Sequence, residues 1–277
     1  MRFRPASLMV MALLAGIPCF GADAGGEKKD DAKKEDQKGE GDEVTVRLKD
    51  GTTVTGTVVQ REKEEPVSDD TRLFLAPTGR PLRGGEGYFS DHWVFFPGVA
   101  YGVTDNFTLA GGVSLIPGIG LDEQAMYFTP KAGVRLSDRA AVSAGALFAR
   151  VGDSDDTLKI GYAVTTFGSS EHSLTAGVGF GQAGDSDTEP MLMVGGSTRL
   201  SKRIALMTEN WFFPSGDFQL LSGGLRFRGG RLTVDFAFLT SPDAFEDDGL
   251  EGIPLIPWLS FSYHFDGRGR RAASASK

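Results

Sequence analysis

The sequence has little cysteine and little histidine. Among its 277 residues there are one cysteine and three histidines. Cys19 falls inside an N-terminal apolar run, so the chain that follows it folds without disulfide bonds. No histidine has metal-ligand spacing to another histidine or to the cysteine. The sequence therefore predicts no metal site, and we expect no cofactor.

Positive charge and long apolar runs are also scarce. Lys and Arg number 29 against 37 Asp and Glu, and the formal net charge is −8. A pI near 5.0 argues against a nucleic-acid partner, which requires a basic surface. No apolar run reaches the roughly 20 residues that a membrane helix needs. Strands can still span a bilayer, because their apolar side chains alternate with others and the average hydropathy stays low.

The N-terminus has the pattern of a secretory signal peptide. Arg2 and Arg4 precede an apolar run at 6–20, and residues 22–24 read ADA, an A-x-A-like cleavage site. This pattern predicts that the protein is exported.

The rest of the chain divides by composition. Residues 25–42 are almost entirely polar, which predicts a disordered linker. Asp50-Gly51 lies between two alternating runs, a pattern typical of a β-hairpin. The predicted division is a signal peptide at 1–24, a disordered charged linker at 25–42, a small β-hairpin at 43–60, a linker at 61–70, a β-barrel at 71–266 and a disordered tail at 267–277.

Strand-like segments follow each other through the predicted barrel, and no helical periodicity interrupts them. The twelve predicted strands are 72–79, 91–103, 107–117, 125–136, 141–151, 157–168, 172–182, 190–200, 204–213, 217–228, 231–241 and 256–265.

The connections between these segments alternate in length. Tight turns such as TDN, SDRA and SKR alternate with longer connections such as IPGIGLDEQ and SPDAFEDDGLEGIPLI. Membrane barrels have short periplasmic turns and longer external loops. The predicted fold is therefore all-β: a transmembrane antiparallel up-and-down β-barrel of about twelve strands in the outer membrane.

Side-chain alternation assigns two faces to each strand. Phe107 and Leu109 are expected to face lipid, while Thr108 and Ala110 face the lumen. The strand at 172–182 alternates in the same way, with large apolar residues on one face and mostly glycine on the other. Residues 179–184, GFGQAG, match the letters of the dinucleotide-binding pattern G-x-G-x-x-G. Such a site needs a helix directly after the strand, and no helical pattern follows here.

Several phrases of the chain resemble a known group of proteins. They are RLFLAPTGR, YGVTDNFTLAGGVSLIPG, YFTPKAGV, RIALMTENW and IPWLSFSYHF. Together they make residues 72–265 similar to a family of uncharacterised outer-membrane β-barrels of Gram-negative bacteria. The resemblance implies a barrel and an outer-membrane location, and it brings no assigned chemistry. The last strand, WLSFSYHF, also resembles the C-terminal aromatic signal of barrels that the outer-membrane assembly machinery inserts.

Charged residues on the predicted lumen face are the candidate binding residues. They are Lys131, Arg135, Lys159, Arg199, Glu209, Arg226 and Asp235. The excess of bases predicts a weak preference for anions in a conducting pore. The alternative is that these groups pair with one another; Arg226 and Asp235 are expected to lie diagonally across one hairpin.

The sequence favours a non-enzymatic small pore or structural component of the outer membrane. Its expected partners are outer-membrane lipid and lipopolysaccharide and the assembly machinery, and no nucleic acid. One alternative is a lipid-modifying enzyme of the outer membrane that uses His264 and Ser262, which share the lumen face. Another alternative is a soluble periplasmic β-barrel that binds a ligand in its interior.

Overall fold

The computed structural model describes residues 43–47, 53–57, 69–152, 157–214, 219–242 and 255–266. The described residues divide into two compact units, one containing 43–47 and 53–57 and the other beginning at residue 69. The predicted signal peptide, the charged linker and the tail lie outside the described residues. Of the predicted linker at 61–70, only Asp69 and Asp70 are described.

The smaller unit contains a two-stranded antiparallel sheet. Strands β1 (Glu43–Arg47) and β2 (Thr53–Thr57) pair with Glu43 opposite Thr57 and Arg47 opposite Thr53. These strands fall within the predicted hairpin.

The larger unit is a closed antiparallel β-barrel, as the sequence predicted. Consecutive strands pair in order, and β14 pairs with β3 to close the ring, so every strand has two neighbours. The strands are β3 (Glu86–His92), β4 (Phe96–Thr104), β5 (Phe107–Val113), β6 (Ala125–Ser137), β7 (Ala140–Val151), β8 (Thr157–Gly168), β9 (His172–Ala183), β10 (Glu189–Arg199), β11 (Ile204–Phe212), β12 (Gln219–Gly229), β13 (Leu232–Thr240) and β14 (Ile256–Asp266). The described residues contain no helix long and apolar enough to cross a membrane.

The two ends of the barrel differ in their connections. At one end, the short-turn end, the connections are 105–106, 138–139, 169–171, 200–203 and 230–231. At the other, the long-connection end, they are 93–95, 114–124, 152–156, 184–188, 213–218 and 241–255. The alternation seen in the sequence is therefore a property of the fold, and the short turn at 93–95 is its one exception.

Two predicted strands were wrong, although the number twelve was right. Residues 72–79 form no strand of the barrel, and the predicted strand 91–103 is divided between β3 and β4. The chain turns at Trp93 and Val94, which have φ of 51° and 67°. Neither residue favours this conformation, so no glycine or asparagine marks the turn in the sequence. The Trp93 indole stabilises it by donating to the Pro257 carbonyl at 2.7 Å.

The outer face of the barrel is apolar, and the buried polar side chains of the strands lie on the inner face. Leu174, Val178 and Phe180 of β9 point outward and are 57%, 54% and 60% exposed. Thr175 of the same strand and Asp235 of β13 point inward and are 0% exposed. The predicted faces of β5, β6, β9 and β13 are confirmed. The barrel thus exposes apolar side chains on its outer face and buries both polar and apolar side chains in its interior.

The register of the β12–β13 hairpin corrects the predicted diagonal placement of Arg226 and Asp235. Phe227 lies opposite Val234, and Leu225 lies opposite Phe236, because the turn consists of Gly230 and Arg231. Gly230 has a φ of 60°, which glycine adopts readily. This register places Arg226 directly opposite Asp235, and both side chains keep the predicted lumen face, where they are 2% and 0% exposed.

Candidate functional site

Residues 69–83, called here the inner segment, run through the lumen of the barrel. Leu73, Arg80 and Leu82 are 1%, 3% and 1% exposed. The segment bonds to inward-facing side chains on both halves of the strand ring, including Thr108 of β5 and Glu209 of β11. It therefore crosses the interior, whereas the sequence predicted part of a linker and a first strand.

Part of the inner segment forms a turn that its own backbone hydrogen bonds close. The Leu73 amide donates to the Ala76 carbonyl at 2.8 Å, and the Thr78 amide donates to the Thr71 carbonyl at 3.0 Å. Arg72 and Pro77 form an isolated bridge across this turn. Prolines at 77 and 81 have no amide to donate to a neighbouring strand, which disfavours extended pairing of this segment in the barrel wall.

A buried charge cluster holds the first part of the inner segment. Asp235 Oδ1 accepts from Arg226 Nε at 2.6 Å, and Asp235 Oδ2 accepts from Arg226 Nη2 at 2.9 Å and from Arg72 Nη1 at 3.2 Å. Arg226 also donates to the carbonyls of Asp69 and Leu73. Arg228 forms an ion pair with Asp69. A single carboxylate of the wall is thus shared between a wall arginine and an inner-segment arginine.

Glu209 binds the turn of the inner segment. Its Oε2 accepts from the Leu75 and Ala76 amides at 2.9 and 3.0 Å, and its Oε1 accepts from Trp211 Nε1 at 2.8 Å. These three donors satisfy a carboxylate that is only 3% exposed.

The other wall of the barrel binds the second part of the inner segment. Lys131 Nζ donates to the carbonyls of Thr71 and Arg80 at 3.2 and 2.9 Å. The Gly79 amide donates to Thr166 Oγ1 at 2.8 Å. The Ser143 hydroxyl of β7 donates to the Thr78 carbonyl. The Thr108 hydroxyl of β5 accepts from the Leu82 amide. A ring of short polar side chains therefore matches the backbone of the segment.

Glycine allows the closest approaches between segment and wall. A Cβ at Gly79 would lie 2.8 Å from the Ala141 carbonyl carbon and 2.9 Å from the Thr166 nitrogen, and it would overlap the Ala141 oxygen. On the opposite wall, Leu73 lies over Gly195, where a Cβ would come within 2.5 Å of its Cδ1. Packing of this kind leaves no room for a side chain at either glycine.

Most of the charged residues predicted to face the lumen do so. Lys131, Glu209, Arg226 and Asp235 all bind the inner segment or its partners, as described above. At the short-turn end, Arg135 Nη2 donates to the Pro81 carbonyl at 3.3 Å, and Arg199 pairs with Glu171 at 2.6 Å. These groups contact the protein's own chain and one another.

Lys159 is the exception, and its predicted lumen position is wrong. Its neighbours on β8, Leu158 and Ile160, pack inward, with Leu158 only 4% exposed. Lys159 is exposed and lies opposite outward-facing Phe148. On β8 the large apolar residues alternate with Lys159, Gly161 and Ala163, so the rule that turns large residues toward lipid assigned the two faces of this strand wrongly.

The structure does not bring His264 and Ser262 together. The Ser262 hydroxyl accepts from Arg72 Nη2 at 2.6 Å, and His264 Nε2 lies 3.5 Å from Thr233 Oγ1. The two side chains therefore have different partners, and the arrangement predicted for an enzyme is not found. In the described residues, no three His, Cys, Asp or Glu side chains are grouped as a metal site would require.

An apolar cavity lies between the inner segment and the long-connection end. Its volume is about 310 Å³, and Phe74 and Leu75 of the inner segment form part of its lining. The wall contributes aromatic and thioether side chains that include Phe96, Tyr127, Tyr162, Met193, Trp211 and Trp258. The lumen is therefore polar where the inner segment binds and apolar in the remaining half.

The sequence interpretation missed this cavity, although a signal was present. The lumen was predicted to contain small and charged residues. Tyr127 lies four residues before Lys131 on β6, and Met191 and Met193 lie on the same alternation as Arg199. The rule that placed the charged residues inside therefore also places these large apolar residues inside.

Comparisons with known proteins found similarity of structure only. No protein-family model matches the chain, and no curated protein matches its sequence. A KdgM porin, solved alone and in complex with disordered oligogalacturonate, aligns with a TM-score of 0.47 and 7% identity, over 65% of this chain and 98% of the porin. A mutant of the Rh. blastica porin aligns with a TM-score of 0.34 and 9% identity, over 61% of this chain and 55% of that one. At these values neither likeness carries an inference about ligand or activity.

Proposed function

We propose that this protein is a non-enzymatic, porin-like β-barrel of the bacterial outer membrane whose passage is closed by the inner segment. The signal-peptide pattern supports export, and the outer face of the barrel supports a lipid environment. Large apolar side chains such as Phe89, Leu174 and Phe180 are more than half exposed on it, at 58%, 57% and 60%. Continuous apolar surface of this kind is rare on soluble monomers and typical of membrane barrels.

Outer-membrane lipid and lipopolysaccharide are the proposed partners of this outer face, and the assembly machinery is the proposed partner of the last strand. Phe261 and Tyr263 of β14 both point outward, where they are 37% and 51% exposed. Aromatic side chains favour the interface between lipid and water. The soluble-barrel alternative is disfavoured, because a protein in water would leave the whole apolar outer face hydrated.

The observation that carries the proposal of a closed passage is the bonding of the inner segment to both sides of the lumen. Asp235 and Glu209 bind it on one side, and Lys131 and Thr166 bind it on the other. A solute can pass through this half of the barrel only if the segment moves. The anion preference expected from the sequence depended on free bases, and it is not retained, because Lys159 lies outside and Arg226 is paired.

Planar-bilayer conductance tests the closed passage. The wild-type barrel should conduct little, and Gly79→Leu should conduct more, since a side chain at 79 collides with Ala141 and displaces the segment. Gly161→Leu is the matched control: Gly161 lies on the outer face of β8, and a Cβ there meets no atom within 4 Å. Equal, large conductance in wild type and Gly79→Leu would contradict the proposal.

A further inference from the structure

We propose that the apolar cavity between the inner segment and the long-connection end is a binding site for a small, uncharged aromatic molecule that carries one hydrogen-bond acceptor. The site does not require the passage to open. A result that contradicts ligand binding therefore leaves the closed passage untouched, and a result that contradicts the closed passage leaves ligand binding untouched.

The volume of the cavity sets the size of the ligand. At about 310 Å³, it lies near the lower limit of ligand-binding pockets, which measure roughly 300–1,000 Å³. An engineered protein cavity of about 150 Å³ accepts benzene. The cavity in this barrel therefore fits a molecule of about two fused rings.

The lining sets the chemical class. Aromatic rings occur on several walls, on Phe96, Tyr127, Tyr162 and Trp211 among others, and rings of this kind favour edge-to-face and offset contacts with an aromatic ligand. The cations that line the cavity, Arg72 and Lys131, already donate to Asp235, Ser262 and backbone carbonyls. No free charge of the described lining remains for an ionic ligand, so an uncharged one is favoured.

Unpartnered donors indicate that the ligand carries an acceptor. Trp258 is 0% exposed, and its Nε1 has no hydrogen-bond partner within the described part of the chain. The same holds for the Tyr162 hydroxyl and for His92 Nδ1. All three residues line the cavity. An indole N–H can only donate, and buried donors are normally paired. These atoms are closed off from the empty cavity by their neighbours, so a carbonyl or ether oxygen of the ligand would reach one of them through a side-chain rotation.

The unpartnered donors of Trp258 and Tyr162 lie on opposite walls of the cavity. Trp258 and His92 are neighbours, with ring centroids 5.1 Å apart, on the adjacent strands β14 and β3. Tyr162 belongs to β8, which is six steps from β14 around the ring of twelve strands. A ring system between the two walls can therefore contact both, with its oxygen directed to one of them.

Calorimetric titration of the barrel in phospholipid vesicles tests the proposal, with the heats of protein-free vesicles subtracted. The probes are 2-acetylnaphthalene, which has a carbonyl acceptor, and 2-ethylnaphthalene, which has nearly the same shape without it. Both should bind at one site per barrel, and the ketone should bind about fivefold more tightly, the effect of one hydrogen bond. Failure of both probes to bind would overturn the site.

Paired variants locate the binding. Ala110 lines the cavity, and Ala110→Phe fills it, so both probes should lose affinity. Ala176→Phe makes the same change on the outer face of β9, where Ala176 is exposed, and it should leave binding unchanged. Equal binding by wild type and Ala110→Phe would place the probes outside the cavity and overturn the proposal.

Two further variants test the acceptor. Trp258→Phe and Tyr162→Phe each remove one unpartnered donor, and the preference for the ketone should disappear in one of them. A preference that survives in both variants would refute the acceptor. Tighter binding of 1-decanol than of either naphthalene would assign the cavity to an alkyl chain and refute the aromatic class.

Discussion

Arg226 and Asp235 form a two-point ion pair inside the barrel, directly opposite each other on β12 and β13. Nε lies 2.6 Å from Oδ1, and Nη2 lies 2.9 Å from Oδ2. The same carboxylate accepts from Arg72 of the inner segment at 3.2 Å. The stability of the hairpin and the position of the inner segment therefore depend on one buried acid.

Asp235→Asn should destabilise the barrel more than Arg72→Gln does. The first change leaves two buried guanidinium groups without their charged partner, and breaking such a pair costs roughly 3–5 kcal/mol. The second leaves the Arg226–Asp235 pair intact. Thermal unfolding in detergent micelles, read from the shift of the heat-modifiable band, compares the variants.

Arg199→Gln is the control for this comparison. Its pair with Glu171 is partly exposed, at 29% and 52% of the two side chains, and exposed pairs contribute at most about 1 kcal/mol. If all three variants unfold at the same temperature, the shared carboxylate does not have the proposed role.

Val178→Arg should impair assembly of the barrel in the membrane, whereas Val178→Leu should not. Val178 is 54% exposed on the outer face, and an arginine facing the middle of a bilayer costs roughly 2–4 kcal/mol. The amount of folded protein in the outer-membrane fraction measures the effect. On a soluble barrel the same arginine would face water, so normal folding of Val178→Arg in the soluble fraction would contradict the membrane assignment.

The long-connection end should face the cell exterior. Asp187 in the β9–β10 connection and Lys202 in the β10–β11 turn are both exposed, at opposite ends of the barrel. Asp187→Cys should react with a membrane-impermeant thiol reagent on intact cells, and Lys202→Cys should react only after the cells are opened. Cys19 lies in the predicted signal peptide, so little background is expected. The opposite labelling pattern would reverse the topology.

The faces of the strands could be predicted from the sequence, because a strand has a period of two and its two faces differ in chemistry. In β9, Leu174 and Val178 alternate with Thr175 and Gly177, and the structure places them as the pattern indicates. In β8 the same pattern gives the wrong faces. Ile160, Tyr162 and Val164 alternate with glycine, alanine and threonine, and here the large side chains face inward.

The inner segment could not be predicted from local pattern. Residues 72–79 read RLFLAPTG, which is compatible with a strand at its start. Its place in the lumen depends on Arg226 and Glu209, which are distant in sequence and bind its backbone in the closed barrel. The sequence therefore predicted most of the individual charged residues of the lumen. It did not predict that their common partner is a segment of the same chain.

The most direct test of the account is hydrogen–deuterium exchange of the amides of residues 72–83 in the folded barrel. Four of them donate to wall side chains: those of Leu75 and Ala76 to Glu209, of Gly79 to Thr166 and of Leu82 to Thr108. The account predicts that peptides covering this range exchange as slowly as peptides from β4, since opening them requires the buried bonds to break. Exchange of this range within seconds, while β4 remains protected, would show that the segment does not occupy the lumen and would contradict the closed passage.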